Sequence, residues 1–142
     1  MCSSDLIYFF SVVANPLKPD TLLAIFPLVH RLRACVALAA SIDGLRWSQA
    51  TPLLRCEAYG ERSAHQPAQG LVHSLDRREL FVYVHENVPG VTMSVAMPKL
   101  IKKLAYLRQP PPQLVRHAIP ADMLLQWTEE KLATLHAAVR RS

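Results

Sequence analysis

The sequence predicts an all-β fold of consecutive antiparallel strands that ends in one C-terminal helix. Three observations carry that prediction. Short apolar segments enriched in β-branched and aromatic residues recur from Leu6 to Ile119. Turn residues separate them, with no helical stretch long enough to cross between parallel strands. From Ala121 the apolar spacing switches from strand-like to helical. The 11 prolines and 4 glycines agree, because proline interrupts long helices and the chain has little low-complexity character.

Strands are expected near Leu6 to Val13, Thr21 to Val29, Ala34 to Ser41, Pro52 to Arg55, Gly70 to Ser74, Glu79 to His85, Thr92 to Met97 and Leu114 to Ile119. The breaks between them have local causes. Asn15-Pro16-Leu17-Lys18-Pro19-Asp20 makes a polar bend in which two prolines fix φ. His30-Arg31-Leu32-Arg33 forms a basic hairpin tip, and Asp76-Arg77-Arg78-Glu79 a charged one. Asp43-Gly44 is the strongest turn signal, since glycine accepts the positive φ of a tight turn. Within Leu80 to His85 the aliphatics Leu80, Val82 and Val84 alternate with Phe81, Tyr83 and His85, so both faces of that strand are expected to be covered. Gln109-Pro110-Pro111-Pro112-Gln113 imposes an extended connection. Leu124, Leu125, Leu132, Leu135 and Val139 then place one apolar stripe on a helix over Ala121 to Val139, with Thr128-Glu129-Glu130-Lys131 a possible second start. Arg140 and Arg141 suit its negative end.

Composition narrows the function classes. The 142 residues carry 16 Lys and Arg against 11 Asp and Glu, a formal charge of +5, with 51% hydrophobic residues. No apolar run approaches the ~20 residues of a membrane span. The basic clusters are dispersed over turns and ends and none interleaves with an aromatic stacking platform, so no nucleic-acid partner is expected. No Gly-rich phosphate loop, H-E-x-x-H or G-x-S-x-G motif occurs. Cys2, Cys35 and Cys56 lack zinc spacing. Cys35 and Cys56 lie among apolar residues and are expected to be buried thiols, with a disulfide between them the alternative. Neither a metal nor a cofactor is expected.

The N-terminus has its own signature. Met1-Cys2-Ser3-Ser4-Asp5-Leu6 resembles the translated end of a common sequencing adapter, so residues 1–6 are expected to be foreign to the protein. The chain is then expected to be the C-terminal piece of a longer one. The apolar stretch Leu6 to Ala14 lacks the basic start of a secretion signal, with Asp5 in its place.

Ser41-Ile42-Asp43-Gly44-Leu45-Arg46-Trp47-Ser48 is the most specific motif. It resembles the S-x-D-G-x-x-W hairpin in blades of the five-bladed β-propeller glycosidases, which include glycoside hydrolase families 32, 43 and 68. The sialidase Asp box differs, having one more residue between Asp and Gly. Thr21 to Phe26, Thr51 to Leu54 and His65 to Val72 also resemble strand and loop phrases of that superfamily, and together these cover Leu6 to Gly90. The resemblance implies a partial five-bladed propeller, about three antiparallel blades over residues 7–120, with a helix and tail at 121–142. The missing N-terminal blades of the same protein would complete the ring.

The resemblance further implies a carbohydrate ligand and two carboxyl groups facing across a funnel, one protonating the leaving oxygen and the other attacking the anomeric carbon or activating water. Glu57 in Leu54-Arg55-Cys56-Glu57 is the first candidate: it follows a strand, and its neighbouring cysteine resembles the family 32 Glu-Cys pair in reversed order. The competing role for Glu57 is a surface ion pair with Arg55 or Arg62. Glu86, in His85-Glu86-Asn87 at the end of an apolar strand, is the second, with His85 beside it as a sugar-binding or acid/base group. His65 and Arg62 occupy a polar loop long enough to reach a pocket, and Tyr59 offers a ring to stack on a pyranose. Trp47 is expected as a hairpin packing anchor and Asp43 as a turn residue. No early-blade aspartate motif is present, so the second expectation is a propeller that binds carbohydrate, or serves structurally, without cleaving it.

Overall fold

The computed structural model describes residues 6–7, 10–30, 33–54, 57–58, 64–68, 70–74, 76, 78–88 and 111–140; side chains at some strand ends, including that of Glu57, lie outside the description. Among the described residues ten strands and one helix follow in order: β1 (Leu6–Ile7), β2 (Ser11–Ala14), β3 (Leu22–His30), β4 (Arg33–Ser41), β5 (Thr51–Pro52), β6 (Glu57–Ala58), β7 (Ala64–Pro67), β8 (Val72–Ser74), β9 (Glu79–Val88), β10 (Gln113–Pro120) and α1 (Ala121–Val139). The strand expected at Thr92 to Met97 lies outside the described residues.

These strands form two antiparallel sheets, of six strands (β1 to β6) and four (β7 to β10), and neither closes on itself. The propeller architecture of about three blades is therefore corrected to two packed open sheets with one helix, a mostly β fold. The overcount has a physical cause. Short strands lie in tandem along one edge instead of side by side: β1 and β2 both pair with β3, β5 and β6 both with β4, and β7 and β8 both with β9. The break between β1 and β2 falls at Phe26 and Pro27, because β1 meets Leu28 and Val29 while β2 meets Leu22 to Ile25. Proline has no N–H to give a ladder.

The hairpin of β3 and β4 is the centre of the larger sheet and is buried on both faces. On the inner face Leu23, Ile25, Val36, Leu38 and Ala40 meet Leu80, Val82 and Val84 of the second sheet, and Leu124 and Leu132 of α1 close the same cluster. Burying a Leu, Ile or Val side chain contributes about 1.5–3 kcal/mol, so this shared cluster dominates the fold's stability. On the outer face, small residues Ala24, Ala37 and Ala39 leave room for aromatic rings. Phe10 stacks on Phe26 with ring centres 4.8 Å apart and meets Trp47 edge-on, also at 4.8 Å. Trp47 is thus the packing anchor its position suggests, its indole N–H donating to the Gly44 carbonyl at 3.1 Å.

Asp43 organises the turn after β4. Its Oδ1 accepts the backbone N–H groups of Leu45 (2.9 Å) and Arg46 (2.8 Å), and its Oδ2 accepts the Arg46 guanidinium at 3.0 Å. These donors, the Arg46 backbone N–H foremost, hold the carboxyl far below the usual carboxylate range. Gly44 follows with φ +73°, where a side chain would be strained.

The helix spans the residues predicted for it and runs uninterrupted through Thr128. No side chain caps its start; the Ala121 N–H donates instead to the Arg78 carbonyl at 2.9 Å. Asn15, which opens the predicted polar bend, is buried and ties helix to sheet. Its side-chain amide donates to the hydroxyls of Thr21 (3.1 Å) and Thr128 (3.4 Å). Cys35, only 4% exposed, is disulfide-bonded, which corrects the expectation of a free buried thiol.

Candidate functional site

The second sheet gathers polar side chains at one end of its core-facing side. β9 pairs with β10 in register from Glu79 opposite Pro120 to Glu86 opposite Gln113. Residues Leu80, Val82 and Val84 point into the core, so continued alternation places Glu86 on that same side where the apolar contacts run out. On the other flank β7 pairs Ala64 with Val88 and Gln66 with His85, leaving His65 alone opposite Glu86 and Asn87. Two residues against one make a β-bulge, a device that re-aims side chains. Asn87 absorbs it with φ 57°, a left-handed conformation that asparagine tolerates better than most residues. Its side-chain amide donates to the Pro111 carbonyl at 3.3 Å, tying the bulge to the chain entering β10.

Glu86 is the hub. His117 is level with Val82, so its imidazole reaches along the sheet past Val115 and Val84 to put Nε2 3.0 Å from Glu86 Oε1. Gln113 Nε2 donates to the other oxygen, Oε2, at 3.3 Å. The Glu86 and His117 side chains are 20% and 29% exposed, sheltered yet open to solvent on one side. Neutral His117 bonded through its Nε2–H gives a hydrogen bond, and the imidazolium gives an ion pair. His65, level with Glu86 across the bulge, carries a buried Nδ1 with no hydrogen-bond partner among the described residues. A buried nitrogen left unbonded costs free energy unless something arrives to satisfy it.

The sequence-predicted residues are therefore only partly assembled. His65 and Glu86 come together at the bulge. His85 adjoins Glu86 in sequence but is exposed on the opposite face, paired with Leu114. Glu57 pairs with Ala34 at the edge of the other sheet, and its side chain lies outside the description. Tyr59 and Arg62 lie outside the described residues. His117 and Gln113 escape a motif search because the chain reaches them long after β9. The available signal was the alternation Val115, His117, Ile119, which sets a histidine among core-facing residues.

Among the described residues two open cavities lie elsewhere, and neither is lined by a predicted site residue. One, of about 430 Å³, runs between α1 and the β2–β3 turn, lined by Lys18, Asp20, Ile42, Glu129 and His136 among others. The other, of about 390 Å³, lies at the start of α1 beside His73 and Arg78. Among the described residues no three His, Cys, Asp or Glu side chains stand where they could share a metal ion. Among them, too, no helix is long and apolar enough to cross a membrane. No protein family, curated protein or solved structure matches the chain.

Proposed function

We propose that this chain binds a carbohydrate without cleaving it, and that the Glu86 cluster is the binding site. One observation carries the reading: the Glu86 carboxylate is held in a fixed orientation by His117 and Gln113, level with an imidazole nitrogen of His65 that has no partner among the described residues. Sugar hydroxyls are both donors and acceptors, so a preoriented carboxylate and a spare ring nitrogen on a rigid sheet are the groups that would meet them. Hydrolysis is the weaker reading. It needs a second carboxyl roughly 5 to 10 Å away. The partners that hold Glu86 are an imidazole and an amide, and Glu57, the other candidate, belongs to the other sheet.

Calorimetric titration of the chain with a panel of mono- and oligosaccharides tests this reading, alongside nitrophenyl glycosides followed for product release. Saturable binding that Glu86→Gln weakens, with no turnover, is the expected result. Turnover abolished by Glu86→Gln would restore the hydrolase reading, and a flat response to every sugar would remove both.

A further inference from the structure

We infer that the ligand class of this site is an uncharged sugar presenting a free vicinal diol; the inference rests on the carbohydrate reading above. An ionised carboxylate offers about four acceptor positions, two on each oxygen. In Glu86 one position on Oε1 is taken by His117 and one on Oε2 by Gln113. Counting the described residues alone, each oxygen keeps one further acceptor position, and both oxygens belong to one carboxylate that His117 and Gln113 hold. Hydroxyls on adjacent ring carbons can donate to both at once. A lone hydroxyl fills only one.

Charge points the same way. A negative ligand group would face the Glu86 carboxylate, and Arg116, the neighbouring cation on β10, is turned to the other side of the sheet. Its guanidinium carbon lies 4.6 Å from the centre of the Phe81 ring. His117 is engaged with Glu86 itself.

The test compares neutral methyl glycosides with versions in which each vicinal diol is broken by removing or O-methylating one hydroxyl. Hydrogen bonds to a charged group correspond to roughly tenfold or more in affinity, so breaking the engaged diol is expected to weaken binding by about tenfold. In Glu86→Gln one oxygen becomes an NH₂ donor, and the affinity ratio of intact to broken diol is expected to fall toward one. A merely structural role for Glu86 would lower both affinities and leave their ratio alone. Gln113→Ala, at an exposed strand end, serves as the variant whose folding is not in question; it removes the contact that orients Oε2, so the two oxygens are no longer held together for a diol and the ratio should fall. Equal binding of intact and broken diols would overturn the inference and leave carbohydrate binding standing. Preference for uronic acids over neutral sugars would do the same. Failure of every sugar to bind would overturn the carbohydrate reading and this inference together.

Discussion

His117 Nε2 lies 3.0 Å from Glu86 Oε1 although the two residues stand four positions apart in the register of β9 and β10. The bond spans the Val84–Val115 pair and closes the polar end of the second sheet's inner face. Both side chains are less than one-third exposed, so their coupling should exceed that of an ordinary surface pair. A double-mutant cycle with Glu86→Gln and His117→Ala is expected to give a coupling of about 1 kcal/mol in denaturant unfolding at pH 6. A value near zero would make the contact incidental.

The Asp43 turn should declare itself in acid. Its carboxyl is held well below the ordinary aspartate range by the N–H groups of Arg46 and Leu45 and by the Arg46 side chain. A depressed folded-state pKa adds stability that is complete above the unfolded value and lost as pH falls through the folded one. Thermal unfolding is expected to show Asp43→Asn melting lower than the parent at pH 7, with the gap closing below about pH 4. A gap independent of pH would mean that ionisation is not what the turn uses.

Gly44 faces two obstacles to replacement. Its φ is +73°, and a Cβ there would meet Leu22 Cδ1 at 3.3 Å. Gly44→Ala is expected to cost about 1–2 kcal/mol by urea denaturation, mainly from the left-handed backbone. A neutral result would show that the turn can rearrange.

Asn15 links parts of the chain far apart in sequence through Thr21 and Thr128. Removing its amide leaves two buried hydroxyls short of a donor, so Asn15→Ala should lose about 2 kcal/mol or more. Hydrogen exchange should then report faster opening of α1 against the sheets.

Local features were legible in the sequence and pairings between distant segments were not. The β3–β4 hairpin and α1 follow from periodicity and turn chemistry, which act over a few residues. The number of sheets depends on which distant strands share a partner: β5 and β6 both lie on β4, and β7 and β8 both on β9, pairings that no local pattern announces. The same limit governs the site. Glu86 stands out as a polar residue at a strand end and His65 in a polar stretch that the structure makes β7, but His117 and Gln113 join Glu86 only through register across a long connection. His85, taken with Glu86 because it is adjacent, was separated by the alternation of a strand.

The most direct measurement is a two-dimensional amide NMR titration of the isotopically labelled chain with a saturating neutral monosaccharide. Shifts concentrated at His65, Glu86, Asn87, Gln113 and His117, absent in Glu86→Gln, are what the account predicts. Shifts confined to the groove beside α1, or none with any sugar, would contradict it.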